Sequence, residues 1–383
     1  MFEKYINKQE LISIRRYLHE NPELSGNEYN TNKFIRNKLD EYGIKYHIVD
    51  NIATVAVIEG KYDGSVALIR ADIDALPVTE DNNLEYKSKN EGVMHACGHD
   101  IHTAIGLYVA KVLNELKNEF NGTVKIVFQP KEETDGGAEG IINWGVMENP
   151  HVDACFAIHV EPLEECGKIQ IRDGAIMASP DDFEIEIIGK GGHGATPENC
   201  INPITIASII AEKINNNPNY KHKDSCIVSI CSIHGGTCSN VIPDRVKLLG
   251  TARSLSEPVR NNIKKELGDL AENICQEYGA TYNYKFNFSF PPTINSEITN
   301  KIVIDASKKI EKIKDITYLE HSSMCGDDFA YFARLVPSSY FKLGVGFDGE
   351  NHPIHSPKFI ANEDSLEIGV EILTQSVIDF LNG

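Results

Sequence analysis

Ser65-Val66-Ala67-Leu68-Ile69-Arg70 is a short, nearly unbroken apolar run, and segments of this kind decide the fold. Residues 52–58, 123–128 and 153–158 share its texture. A strand that is apolar at successive positions must be covered on both faces, as in a sheet sandwiched between helices. Helical stretches such as 103–116 lie between these runs, so the pattern is βαβ-like and the first part of the chain reads as α/β. A first helix is expected over residues 7–19, with Leu11, Ile14 and Leu18 on one face and Asn21-Pro22 stopping it.

Near residue 180 the texture changes. In Phe183-Glu184-Ile185-Glu186-Ile187 apolar residues alternate strictly with acids, the mark of a strand with one wet face. Further strands at 226–233, 246–251 and 281–288 surround two helical stretches, 203–214 and 257–278. They describe a small α+β module with an exposed sheet face or edge, entered at Ser179-Pro180 and left at Pro291-Pro292. The α/β texture resumes through 339–345 and a final helix near 364–381. The expectation is one catalytic domain, residues 1–179 and 292–383, interrupted by an inserted domain at 180–291.

With 383 residues the chain builds a substantial core as one large domain or two ordinary ones. Its 41% hydrophobic and 24% charged residues match a soluble globular protein. A net charge of −19, with no basic run, argues against a nucleic-acid partner. Nine cysteines at irregular spacing form no disulfide framework and suit a reducing cytoplasm. The segment Met1-Phe2-Glu3-Lys4-Tyr5 does not read as a secretory signal. No apolar run is long enough for a spanning helix, so no membrane partner is expected.

The chemistry concentrates in Met94-His95-Ala96-Cys97-Gly98-His99-Asp100-Ile101-His102. Cysteine and histidine two apart, around a glycine that lets the backbone bend, can both reach one borderline-soft divalent ion. Asp72 and Asp74, Glu132-Glu133 and His159 each follow an apolar strand, and ligands in open α/β sheets bind beyond the carboxyl ends of strands. Residues distant in sequence should therefore converge on one crevice. Of two adjacent glutamates, one can coordinate metal while the other takes a proton from metal-bound water and delivers it to a leaving amine. Between Gln129-Pro130 and Asp135-Gly136-Gly137 the same pair also reads as solvated loop acids. One of Asp72 and Asp74 could orient a ligand imidazole through its second nitrogen, the other capping a turn. His159 could be a core histidine, and at most one of His352 and His355 is expected to be a ligand.

In the inserted module, Gly189-Lys190-Gly191-Gly192-His193-Gly194-Ala195 lacks the Gly-Lys-Ser/Thr ending of a phosphate loop. Close backbone approach that presents His193 is the better reading. Asn240 and Arg253 end strands of the same module, and arginine is a natural bidentate partner for a carboxylate.

Together these segments resemble the aminoacylase/carboxypeptidase family of dinuclear metallohydrolases, and most closely its amidohydrolase branch of hippurate hydrolase, auxin-conjugate hydrolase and N-acetyldiaminopimelate deacetylase. The resemblance rests on Arg70-Ala71-Asp72-Ile73-Asp74-Ala75-Leu76-Pro77, the stretch 94–102, Gln129-Pro130-Lys131-Glu132-Glu133, the stretches 189–195 and 240–244, and His355-Ser356-Pro357-Lys358-Phe359, in family order. It implies a zinc-peptidase-like α/β catalytic domain with a mixed sheet, interrupted by an α+β lid and dimerisation domain. It implies two divalent ions per subunit, Mn²⁺ or Zn²⁺ with Co²⁺ or Ni²⁺ as alternatives, on Cys97, His99, Glu133, His159 and His355. Glu132 would be the general base, and His193 would help bind the scissile carbonyl oxygen, in its own or a partner's site. Asn240 and Arg253 would contact the substrate carboxylate. Position in the wider family favours Asp74 as the orienting acid, whereas the branch pattern favours Asp72.

Several positions depart from the branch: Ile101 for glycine, Lys131 for a small residue, Thr134-Asp135 for Gly-Pro, Glu198 for histidine, and Gly326-Asp327-Asp328-Phe329 for Ser-Glu-Asp-Phe. None removes an implied ligand or the base. The expectation is a cytoplasmic, homo-oligomeric, metal-dependent amidohydrolase cleaving N-acyl amino acids. A dipeptidase or carboxypeptidase using the same site is the alternative, and a catalytically silent binding protein the rival from another class.

Overall fold

The computed structural model describes residues 2–49, 53–134, 136–222 and 225–383. Ile52, the first residue of an expected strand, and Asp135 in the glutamate loop lie outside the described residues. The chain forms two compact units. The first comprises Met1–Gly174, Ile294–Glu320 and Asp328–Gly383, and the second Ala175–Thr293 and His321–Asp327.

In the first unit, eight strands among the described residues make one mixed sheet, in the order Lys45–Val49, Ala53–Glu59, Thr123–Gln129, Val66–Asp72, Ala154–Glu165, Ser338–Gly346, Lys168–Ile171 and Asp315–Tyr318. The central four are the apolar segments expected from sequence, and they run parallel to one another. Their side chains are buried on both faces: every residue of Val66–Asp72 is inaccessible to solvent or nearly so. Helices Lys8–Glu20, His99–Glu115 and Asp364–Asn382 contribute to this core, with Leu11, Ile14 and Leu18 packed inward as anticipated. Asn7 caps the first helix, its side chain accepting the Glu10 amide at 3.2 Å.

Three details differ from expectation. Lys45–Val49 is a strand that carries little apolar signal, because it lies at the sheet edge and pairs only with Ala53–Glu59. The helix expected from residue 103 begins at His99; Gly98, at φ 86°, turns the chain into it. The strand expected to stop at Ile158 runs on to Glu165, because Ser338–Gly346 lies parallel beside it and continues the ladder. His159 therefore lies within a strand, opposite Lys342, rather than just past a strand end.

Among the described residues, the second unit is built on a five-stranded antiparallel sheet in the order Lys221–His222, Cys226–His234, Arg245–Ser254, Ser179–Ile188 and Thr281–Asn287. Helices Pro203–Asn216 and Glu257–Glu277 contribute Ile206, Ile210, Ile263 and Leu267 to a core with Phe183, Ile185 and Ile187. The alternating acids take the other face, where Glu184 pairs with Lys247 at 2.9 Å and Glu186 with Arg245 at 3.2 Å. Leu249 and Ile233 are exposed. No helix among the described residues is long and apolar enough to cross a membrane.

Candidate metal centre

Register brings the chemistry-bearing residues of the first unit together. Asp72 pairs with Gln129, so the segments carrying Asp74 and Glu132-Glu133 leave the sheet side by side. Arg70 pairs with Ala157 on the other neighbouring strand, which sets His159 level with Asp72. Cys97 and His99 are presented by the Gly98 turn, where a Cβ would come within 2.4 Å of Val160 Cγ2; only glycine allows that approach. His355 arrives on a loop in the left-handed conformation (φ 65°), its N–H donating to Ala96 O at 2.8 Å.

The result is a set of overlapping donor groups among the described residues, Asp72, His99 and His102 being one of them. Two others carry the thiol: Cys97, His99 and His159, and Cys97, Glu133 and His355, with ligand atoms in each lying within 4.8 Å of one another. Their union is the five residues implied by the resemblance, and they share the Cys97 thiol. Cys97 Sγ lies 3.5 Å from His159 Nε2, and Glu133 Oε1 lies 3.8 Å from His99 Nε2 and 3.4 Å from His355 Nε2. Glu132, half-buried, groups with His99 and Glu133, its Oε2 4.0 Å from His99 Nε2.

The two buried imidazoles, those of His99 and His159, are held so that one nitrogen of each faces the group. His159 Nδ1 donates to Val160 O at 2.8 Å, which leaves the Nε2 lone pair free for a ligand. His99 Nδ1 lies 3.2 Å from Asp74 Oδ1. The buried His99 Nε2 and Glu133 Oε1 have no hydrogen-bond partner among the described residues. Unpaired buried polar atoms are costly, and thiol, imidazole and carboxylate donors are those that suit a borderline-soft divalent cation. The donor set fits such an ion. Burial pushes the Cys97 thiol well above its ordinary range, and Glu133 acts in the same direction. Burial and the neighbouring His102 hold His159 well below its usual range, as a neutral imidazole. At His99 burial opposes the charge, but Asp72 and Cys97 outweigh it and raise its pKa well above the usual range.

The two aspartates part company. Asp74 accepts from Ser25 Oγ at 2.6 Å and from the Glu133 N–H at 3.0 Å, besides facing His99. Asp72 faces His102 Nδ1 at 2.5 Å, receives Arg70, and sets its Oδ2 3.7 Å from the other nitrogen of His99, Nε2. His102 Nε2 accepts the Val160 N–H at 3.0 Å, so its proton sits on Nδ1, toward Asp72. Arg70 also donates to Gln129 Oε1 at 2.9 Å and to Asp328 Oδ1 at 2.7 Å, and Asp328 accepts from Gln129 and the Ala138 N–H. Sequence reasoning missed this buried network. Its signal was an arginine at the end of an apolar strand, where burial requires acid partners. His95 is buried too, yet joins none of these donor groups, and burial pushes it down to about 4. His352 joins none either.

The second unit holds the remaining candidates. His193 and Ile242 lie on a two-stranded ribbon, Gly192–His193 with Val241–Ile242, and the Gly194 N–H donates to Asn240 O at 2.8 Å. His193 is exposed, and its Nδ1 accepts the Ala195 N–H at 3.0 Å. In the neutral ring the proton is then on Nε2, a free donor. Gly191 closes against this ribbon, a Cβ there falling 2.6 Å from Ile242 O, so the glycines serve close approach rather than phosphate. Arg253, half-buried, pairs with Pro180 and Ile227, at the opposite end of its strand from Arg245 and Ile188. Within one copy the structure brings His193 and Asn240 together but not Arg253.

The model of Peptidase family M20/M25/M40 matches residues 68–379. The Saccharolobus solfataricus protein named thermostable carboxypeptidase 1 is 39% identical over 383 residues, covering 97% of this chain and 95% of the relative. The Bacillus subtilis N-acetylcysteine deacetylase is 37% identical, covering 96% of each. A solved Bacillus subtilis structure, described as a dinuclear metal binding peptidase from the M20 family, superposes with a TM-score of 0.88 at 34% identity and covers 99% of both chains. With a family model matching most of its length and relatives aligned nearly end to end, the chain belongs to Peptidase family M20/M25/M40.

Proposed function

We propose that this hydrolase of amide or peptide bonds acts on N-acyl amino acids, releasing the acyl group as a carboxylate and the free amino acid. The observation that carries the reading is the convergence of Cys97, His99, Glu133, His159 and His355, with buried atoms left unpaired, beside a second glutamate. These five would hold two divalent ions, Mn²⁺ or Zn²⁺. When bound, such ions supply Lewis acidity toward the scissile carbonyl and make water a usable nucleophile near neutral pH.

Glu132 accepts the proton of the attacking water on a carboxylate oxygen and returns it to the departing amine nitrogen. Asp74 fixes the His99 ring through Nδ1 and so aims Nε2; of the aspartate pair it is the orienting acid in this reading. Asp72 holds His102 and Arg70 and places its negative charge 3.7 Å from His99 Nε2. His193, with its proton on Nε2, donates to the carbonyl oxygen as negative charge develops there. We read the second unit as the lid and dimerisation module. The separation of Arg253 from His193 and Asn240 supports a homodimer in which His193 serves a second copy's site, with Asn240 and Arg253 reaching the substrate carboxylate from different subunits.

The test is a panel of N-acetyl, N-benzoyl and N-succinyl amino acids against dipeptides, with Mn²⁺, Zn²⁺ or Co²⁺ added to chelator-treated protein. N-acyl amino acids should be hydrolysed in preference to dipeptides, and only with metal. The carboxypeptidase named among the relatives favours a second reading, cleavage of peptides. Faster turnover of substrates with a free α-amine would establish it instead.

A further inference from the structure

Glu28 belongs to none of the donor groups, yet it is fully buried, at 0% exposure. It sits just before the helix Tyr29–Glu41, and its carbonyl is tied down by the Asn32 amide and side chain, both at 3.0 Å. Its side chain reaches across to the glutamate loop, where Oε1 accepts the Lys131 N–H at 2.9 Å. Lys131 has φ 61°. A left-handed backbone is costly for a lysine and persists only where its surroundings hold it. The other side of the same residue is held as well, Lys131 O accepting the Gly137 N–H at 3.2 Å.

Two residues on, the Glu133 N–H donates to Asp74 Oδ2 at 3.0 Å. The amides on either side of Glu132 therefore end on two different buried carboxylates. We infer that Glu28 is a positioning residue for Glu132: with Asp74 it clamps the bend that presents the base, acting through the Lys131 amide and touching no substrate. The inference rests on Glu132 being the base. What the clamp needs is an acceptor oxygen at Oε1, since the donor is a neutral amide; the negative charge is dispensable.

This gives a test with several readouts. Glu28→Leu removes the acceptor at similar volume. It should lower kcat by about tenfold or more, since small misplacements of a reacting group are that costly, while KM and metal content stay near wild type. Glu28→Gln retains an acceptor and should stay within about threefold of wild-type kcat, the net worth of an ordinary hydrogen bond being the most it can lose. Adding Lys131→Gly to Glu28→Leu should recover part of the loss, because glycine takes a positive φ without a steric penalty. Hydrogen exchange of the Lys131 amide in the wild-type protein needs no variant to fold. It should be protected. A Lys131 amide that exchanges like an open loop amide, or a folded Glu28→Leu with wild-type kcat, would overturn the proposal. Failure of the underlying reading looks different: Glu132→Gln would then turn over normally, whatever the Lys131 amide does.

Discussion

Replacing each aspartate of the pair by asparagine separates their roles. Asp74 is 1% exposed and spends its two oxygens on Ser25, the Glu133 amide and His99. Asparagine in its place must turn an NH₂ toward one of these donors and loses the charge that orients His99. Losing such a partner of a ligand imidazole typically weakens metal binding 10–100-fold, or about 1.4–2.8 kcal/mol. Asp72 is equally buried, but its hydrogen-bond partners are Arg70 and His102, with His99 Nε2 further off at 3.7 Å. Asp72→Asn removes one carboxylate from the Arg70 guanidinium, which keeps its pairing with Asp328. Breaking a buried pair from one side costs about 3–5 kcal/mol, and the surviving Asp328 contact puts the expectation at the lower end. We therefore predict that Asp74→Asn mainly weakens ion binding, whereas Asp72→Asn mainly destabilises the fold. Calorimetric titration of metal-free protein with Mn²⁺ and urea unfolding of the same preparations measure both quantities. If Asp72→Asn instead loses the larger share of metal affinity while unfolding at the wild-type urea concentration, the division of labour drawn from the hydrogen bonds is wrong.

Three further outcomes follow from the site. Glu132→Gln should bind metal normally but lose about 10²–10⁴-fold in turnover, the usual range for a general base; single-turnover kinetics with elemental analysis checks both halves. His193→Ala should lower kcat by about 10²–10³-fold with metal content unchanged, and mixing it with Glu132→Gln subunits should restore some activity if the site is shared between copies. Burial pushes the Glu28 carboxyl up to about 7 from an ordinary 4.5. The folded state therefore holds a proton that the unfolded chain gives up, and stability falls as pH rises between those values. Glu28→Gln lacks this loss, so its stability relative to wild type should improve from pH 4.5 to 8 by up to about 3 kcal/mol; a difference that stays flat across that range would mean Glu28 is ionised throughout.

Much of this architecture is legible in the sequence because its signals are local. The run Val66-Ala67-Leu68-Ile69 reads as a doubly covered strand, and the alternation at Phe183–Ile187 as a strand with one wet face. The candidate donor residues were visible because cysteine and paired glutamates are unusual beside apolar strands. What was not legible depends on partners far along the chain. The extension of the strand through His159 is set by Ser338–Gly346. Asp72 and Asp74 look alike in sequence, and only the positions of His102 and Ser25 tell them apart. Glu28 lies over a hundred positions from the loop it holds, and nothing around it in the sequence marks it as different from a surface acid.

The five donors also differ in what carries them. Cys97, His99 and His159 are buried, on a turn locked by Gly98, a helix start and a central strand. Glu133 and His355 ride on loops, and the His355 side chain is 51% exposed. One half of the centre is thus screened from solvent, while on the other His355 is open to it. Two ions bound here would not leave together. The ion facing His355 would be the first surrendered to a chelator and the first exchanged for a competing metal, so the identity of one ion would follow the surrounding medium while the other kept a memory of how the protein was first loaded.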